Sequence, residues 1–362
     1  MSELQKAREI INKADKEMAR LFEVRMDAAK TVAEYKKENG LPIDDFGREK
    51  EIIARNSEYI KNEEYRSYYV NFLRNNIKLS KDLQHRMMEG MTVAYSGVKG
   101  AFANIAARHI FPDARCLPYA DFKAAYKAVE KGECDCVILP IENSFNGDVG
   151  NVLDLAFFGS LYINGVYEAN VVQNLLGVQG AVLSDIKKVV SHPQALGQCT
   201  NYIENHGFEM ENAVNTAVAA KMVAEIGEKS ITAIGSIEAA QQFGLQVIAE
   251  KINDSETNTT RFAVFSRSKR TPTPKDERFI MLFTVKNVAG SLGEAISVIG
   301  QHGFNLRALK SRPTKELVWD YFFYVEGEGN INSPQGEAML EQLKRSCSDL
   351  KIIGSFEKEI HI

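Results

Sequence analysis

Alternating steps of three and four residues through the N-terminal segment pick out Arg8, Ile11, Asp15, Met18, Phe22, Arg25, Ala29, Val32 and Lys36. With Leu4 one step earlier and Ala14, Leu21, Ala28 and Tyr35 alongside, this heptad seam predicts a helix of about 30 residues that packs along its whole length. Further helices follow. Asp45, Arg48 and Glu49 share one turn after Pro42, and Leu73, Ile77, Ser80, Gln84 and Met87 share one face. From 92 to 266 short apolar runs end in polar breaks ("TVAYSGVKGAF", "CVILPIENS", "KKVVSHPQA", "ITAIGSIEAA", "RFAVFSR") and alternate with helical stretches. That is α/β grammar, in which ligands sit beyond the carboxyl ends of the strands. Residues 277–362 read strand–helix–strand–strand–helix–strand, a ferredoxin-like α+β order. Gly90 and the basic, proline-bearing "SRSKRTPTPKDE" mark the joints, giving segments 1–90, 92–268 and 277–362.

The helical seam carries charges where a core should be. Arg8, Arg25 and Lys36 against Asp15 leave a net +2 in the buried-side stripe, and isolated charges there cost several kcal/mol each. A ladder of internal ion pairs does not neutralise the excess, whereas an anionic ligand held between helices does. Ser80 and Gln84 add hydrogen-bonding groups to the same pocket.

Length and charge narrow the partners. A chain of 362 residues exceeds one ordinary core. A net charge of −4 argues against a nucleic-acid or membrane-surface partner. The polar start and the lack of an 18-residue apolar run predict neither a secretory signal nor a membrane span. Five scattered cysteines (116, 134, 136, 199 and 347) fit free thiols in a reducing cytoplasm. Cys134 and Cys136 lack a second ligand pair, so no metal is expected. The Gly97/Gly100 turn lacks dinucleotide-binding spacing, and no cofactor is expected. Small molecules and further copies of the chain remain as partners.

The helical segment resembles the all-helical chorismate mutases: Arg8, Asp15, Arg25, Lys36, Pro42, Asp45, Arg48, Glu49, Ser80 and Gln84 all fall in that family's pattern. The resemblance implies that Arg8, Arg25 and Arg48 grip the carboxylates of chorismate. It also implies that Lys36 and Gln84 face the ether oxygen, that Asp45 and Glu49 hold the substrate hydroxyl, and that Ser80 lines the site. Members of this type are intertwined dimers in which the first arginine comes from the partner subunit. The rearrangement needs no nucleophile, only a held conformer and charge stabilisation.

The middle segment, with "PIENS", "SHPQAL" and "TRF" in this order, resembles prephenate dehydratases. The implied fold has two α/β lobes, like a periplasmic binding protein, with the site in the cleft between them. By that resemblance Thr260 donates a hydrogen bond or proton to the departing hydroxyl and Glu142 lies close to the chemistry. Asn143, Ser144, Gln194, Thr216 and Arg261 are the expected substrate or cleft residues. The alternative for Arg261 is a structural ion pair. Two family hydroxyls are replaced by Ala101 and Ala103, which leaves the backbone N–H groups of Gly100 and Ala101 as candidate donors. His192, at a strand end before Pro193, reads equally as a base or a cap.

Residues 287–292 and "NLRALKSRP" resemble the amino-acid-sensing ACT domain. The resemblance implies a phenylalanine pocket shaped by Gly290, Ser291, Leu292, Ser311, Arg312 and Pro313, with Lys310 and Ala289 departing from the pattern. The expected protein is therefore a cytoplasmic, dimeric or higher-order bifunctional enzyme. It converts chorismate to prephenate and prephenate to phenylpyruvate under feedback from phenylalanine. The alternatives are a ligand-sensing regulator, or a mutase whose dehydratase segment is inactive.

Overall fold

The computed structural model describes residues 2–255, 257–314 and 321–362. They form two units, 1–91 and 92–362. The first has three helices: α1 (Glu3–Glu38), α2 (Phe46–Ser57) and α3 (Glu63–Glu89). Ser2 and Gln5 close a reciprocal capping box on α1, while Asp45 and Asn62 cap α2 and α3. Gly90, at φ 80°, ends α3 in a conformation that disfavours side chains. The seam helix is longer than expected: its 36 residues span about 54 Å at 1.5 Å per residue. Ala29 and Ala33 are its buried residues, whereas Ile11, Met18 and Phe22 are 56%, 48% and 41% exposed. One chain leaves much of the seam uncovered.

The second unit begins with a lobe built from β1 (Thr92–Ser96), α4 (Phe102–Ile110), β2 (Arg115–Tyr119), α5 (Phe122–Lys131), β3 (Cys136–Asn143), β4 (Gly147–Asp148), α6 (Gly150–Phe158) and β5 (Tyr162–Asn170). The chain then crosses into a second lobe. This contains β6 (Asn174–Gly177), β7 (Lys188–Ser191), α7 (Pro193–Gly197), α8 (Thr200–His206), β8 (Glu209–Asn212), α9 (Thr216–Ile226), β9 (Ile231–Gly235), α10 (Ile237–Phe243) and β10 (Gln246–Ala249). Its five-stranded sheet runs β10-β6-β9-β7-β8. The chain returns through β11 (Thr259–Ser266), which inserts between β5 and β3. Two crossings and two sheets define the cleft.

The C-terminal part follows the expected order: β12 (Arg278–Val285), α11 (Ser291–Gln301), β13 (Asn305–Pro313), β14 (Tyr321–Glu328), α12 (Pro334–Ser346) and β15 (Cys347–Phe356), then β16 (Ile360–His361). Its strands lie β13-β14-β12-β15, the ferredoxin-like arrangement. This sheet is not separate. β15 pairs with β5 at Gly354 and Ile163, and β16 also joins β5, so eleven strands form one continuous sheet. On β12, Phe279, Met281 and Phe283 face α11 and α12, while Ile280 and Leu282 join the core of the first lobe. Burial on both faces explains the unbroken apolar run "FIMLF". Phe322 of β14 stacks on Phe157 of α6, with ring centroids 4.1 Å apart.

Ion pairs sew the same seam. Arg261 of β11 contacts Glu142 of β3 (2.8 Å), Glu326 of β14 (2.7 Å) and Glu359 before β16 (3.2 Å). Lys310 of β13 contacts Glu142 (2.9 Å) and Asp148 (2.5 Å). Burial alone would raise the Glu142 pKa, but hydrogen bonds from Arg261 and Lys310 hold it below the usual glutamate range.

The seam can be probed at a glycine and at a carboxylate. A Cβ on Gly354 would lie 2.8 Å from the Ile163 carbonyl oxygen. Gly354→Ala is therefore expected to destabilise the unit by about 1–3 kcal/mol, read as a lower denaturant midpoint. An unchanged midpoint would show that the two sheets do not meet there. The lowered Glu142 pKa contributes stability that is present above the ordinary glutamate value and lost as pH falls through the lowered one. Wild type should therefore lose melting temperature more steeply than Glu142→Gln between about pH 5 and pH 3. Equal slopes would remove that carboxylate from the account.

Candidate functional site

In the helical unit, the expected polar residues gather at the C-terminal part of α1, the start of α2 and the last turns of α3. Arg25 donates to the Asn76 carbonyl (2.8 Å) and to the Ser80 hydroxyl. Burial pushes the pKa of this guanidinium down, and no ion pair to a carboxylate accompanies it among the described residues. A half-buried cation without a counter-charge is costly and favours an anion beside it. Lys36 donates to the Ile43 carbonyl (2.7 Å), fixing the loop before α2. Lys81 ties that loop and α2 to α3 through Asp44 (2.5 Å) and Glu49 (2.9 Å). One turn on, Gln84 is 7% exposed and its Oε1 has no partner among the described residues.

The remaining members are placed differently. Asp45 caps α2, accepting from the Arg48 backbone (2.9 Å), and the Arg48 side chain turns outward to Glu51 (2.9 Å). Arg8 and Asp15 are exposed on the uncovered part of α1.

The second candidate site is a cavity of about 850 Å³ between the two lobes of the other unit. Register places Asn143 of β3 opposite Thr260 of β11, both 8% exposed. The Asn143 amide nitrogen reaches Asn258 Oδ1 (2.9 Å), Thr260 Oγ1 (3.0 Å) and the Thr259 carbonyl (3.2 Å). Its Oδ1 accepts from the backbones of Phe145 and Asn146 and from the Asn146 amide. The amide is thus fixed in orientation. Thr260 accepts from it and keeps its own hydroxyl proton for a ligand.

His192 caps α7, its Nδ1 accepting from the Gln194 backbone (3.2 Å). Burial lowers its pKa, and with Nδ1 accepting from the backbone the neutral ring carries its proton on Nε2. Gln194 and Thr216 line the cavity, as do Ala101 and Ala103. The backbone donors expected at Gly100 and Ala101 are occupied, by Asn104 Oδ1 (3.1 Å) and the Val98 carbonyl (3.1 Å). Because Ala101 cannot cap α4 with its side chain, the N–H groups of Phe102, Ala103 and Asn104 have no backbone partner among the described residues, and the first two belong to residues lining the cavity.

Three expected cleft residues stand elsewhere. Glu142 and Arg261 are absent from the lining because each is turned into the ion-pair seam. Ser144 clamps the adjacent loop, bonding Thr257 and Thr259 at 3.0 Å each. Gln173 was missed: it is 2% exposed, lines the cavity, donates to Gln198 (3.2 Å) and leaves its Oε1 without a partner among the described residues. Its signal was an amide pair, Gln173-Asn174, at the lobe crossing.

Of the residues expected to bind an effector, Gly290 (φ 89°) precedes α11, and Ser291 and Leu292 form its first turn. Ser311 and Pro313 are exposed at the end of β13. Since β12 and β13 both run antiparallel to β14, these groups share one end of the sheet. Arg312 departs from the expectation, because its guanidinium is engaged with Asp154 and lines the cleft.

Family models match both units: chorismate mutase type II over residues 7–85 and prephenate dehydratase over 93–270. A bifunctional chorismate mutase/prephenate dehydratase of Aquifex aeolicus is 31% identical over 99% of both chains. An arogenate dehydratase/prephenate dehydratase of Arabidopsis thaliana is 32% identical over 74% of this chain and 72% of its own. The crystal structure of a prephenate dehydratase from Arthrobacter aurescens, in complex with L-Phe, aligns at a TM-score of 0.70 and 28% identity, covering 74% of this chain and 90% of that one. With a chorismate-mutase match in the helical unit, a dehydratase match in the two lobes and a relative aligned end to end, the chain belongs to the family of bifunctional chorismate mutase/prephenate dehydratases.

Proposed function

We propose that residues 1–91 rearrange chorismate to prephenate and that the cleft of the second unit converts prephenate to phenylpyruvate. The observation that carries the second half is the pairing of Asn143 with Thr260, which leaves a hydroxyl donor in a cavity of substrate size. In that reaction the bond from the ring to its carboxylate breaks and its electron pair enters the ring. The ring hydroxyl leaves with a proton as water, and carbon dioxide departs. Aromaticity supplies the driving force, so the cleft has to protonate and orient. Thr260 donates to the departing oxygen, and Phe262, Phe122 and Val171 supply apolar walls. Asn143, Gln173, Gln194 and Thr216 hold the substrate's polar groups.

In the mutase unit, Arg25 and Arg48 take carboxylates, and Arg8 comes from the partner of a homodimer. Lys36 and Gln84 face the ether oxygen, Ser80 orients Arg25, and Asp45 and Glu49 address the hydroxyl. The exposed apolar seam of α1 supports the dimer, since a long amphipathic stripe is stable only when covered. The C-terminal ferredoxin-like part acts as an ACT-type sensor, with phenylalanine bound near Gly290–Leu292 and Ser311. The complex of the Arthrobacter prephenate dehydratase with L-Phe supports phenylalanine as the effector.

Thr260→Ala is expected to leave chorismate rearrangement intact while phenylpyruvate formation falls by roughly 100-fold or more. Dehydration that survives the substitution would move the chemistry elsewhere. For the dimer, Arg8→Ala and Arg48→Ala chains should each be inactive alone. Mixed by co-refolding, they should regain about a quarter of wild-type mutase activity, because random pairing makes one intact site in half of the dimers. No recovery on mixing would place both arginines of a site on one chain.

A further inference from the structure

We infer that Arg312, carried by the ferredoxin-like part, is a substrate-binding residue of the dehydratase cleft and takes the side-chain carboxylate of prephenate. This rests on the reading of the cleft as the dehydratase site. Prephenate is a dianion, yet Arg312 is the sole Lys or Arg among the described residues lining the cavity, which also includes Asp121 and Asp148. Those two acids are already committed: Asp121 caps α5 through the Ala124 N–H (2.7 Å), and Asp148 pairs with Lys310 (2.5 Å). Without Arg312 the cleft would offer its substrate no formal positive charge.

The guanidinium is positioned for the task. Its Nε and Nη2 edge is gripped by the two oxygens of Asp154 at 2.5 and 3.0 Å. That forked pair fixes the plane and leaves Nη1 without a partner among the described residues. Nη1 lies against the start of α6, where a Cβ on Gly150 would come within 2.2 Å of it. A side chain at position 150 would push the guanidinium away from the helix end. Val149 cannot cap α6 with its side chain, and among the described residues the N–H groups of Gly150 and Asn151 have no backbone partner. A cation and two open amide donors therefore meet at one wall of the cavity.

Chemistry selects which carboxylate belongs there. The ring carboxylate loses its charge as carbon dioxide forms, so a guanidinium on it would stabilise the ground state and slow the step. The side-chain carboxylate keeps its charge from substrate to product, and binding it orients the ring without opposing the reaction.

The test is steady-state kinetics on prephenate with Arg312→Gln and Arg312→Lys, without phenylalanine, together with inhibition by phenylpyruvate, which retains only that carboxylate. Chorismate rearrangement by the other unit reports an intact chain. Arg312→Gln is expected to raise KM roughly tenfold to a hundredfold, with a smaller change in kcat. The phenylpyruvate inhibition constant should rise by the same factor, and Arg312→Lys should recover part of both. If Arg312 only braces Asp154, Arg312→Gln and Asp154→Asn will lower kcat and melting temperature alike and leave phenylpyruvate affinity unmoved, which overturns the inference. Thr260→Ala separates the two readings. An inactive Thr260→Ala beside a normal Arg312→Gln sinks only the arginine assignment, whereas an active Thr260→Ala sinks the cleft reading itself.

Discussion

A guanidinium set into a β-sheet must be neutralised, and the second unit is arranged around that need. Arg261 draws carboxylates from β3, β14, the C-terminal tail and, at 4.0 Å, Glu168 of β5. Its side chain is 14% exposed and that of Glu326 is 6% exposed, so removing the guanidinium would leave a buried carboxylate unpaired at a cost of about 3–5 kcal/mol. The cluster therefore fixes which strands lie together. It holds β11 against β3, which sets Thr260 opposite Asn143, and it holds the ferredoxin-like sheet against both. The geometry of the cleft and the attachment of the ferredoxin-like part depend on the same ion pairs.

Strand alternation explains how one short motif serves both purposes. Successive side chains on a strand point to opposite faces. Thr260 and Phe262 line the cleft and Arg261 between them joins the seam. On β3, Asn143 faces the cleft while Glu142 faces Arg261. The period of two separates Thr260 from Arg261 and Asn143 from Glu142, and the contacts of Arg261 match its alternative reading as a structural ion pair. On β3 the period goes no further, because the β-bulge at Ile141 returns Pro140 to the cleft face beside Asn143.

Some further features were legible for physical reasons, and some were not. The heptad seam identified α1, because a stripe that repeats over many turns fits little besides a long amphipathic helix. The charges on it pointed to an anion, and Arg25 is indeed desolvated without a carboxylate partner among the described residues. The strand–helix order of the C-terminal part followed from local pattern. The continuous sheet did not, because pairing between β15 and β5 joins residues 191 positions apart, Gly354 and Ile163, and leaves no local trace. Lys310 looked like the loss of a family carboxylate; its partners, Glu142 and Asp148, lie in a distant segment. The apolar run on β12 did carry a hint, since a strand buried on both faces implies a second layer.

The placement of β13 gives regulation a physical route. Along this edge strand burial alternates residue by residue, with Lys310 and Arg312 on the inward face and Ser311 and Pro313 outward. The two inward cations grip the segment between β3 and α6 and both its flanks, through Asp148 within it, Glu142 on β3 and Asp154 on α6. That segment follows Asn143 directly and ends at the open N-terminus of α6. The outward residues lie at the end of the sheet proposed to bind phenylalanine. A ligand that shifts β13 from its outer side must therefore move both cations, and with them one wall of the cleft. Coupling of this kind needs no long pathway, only a strand whose two faces serve different ligands.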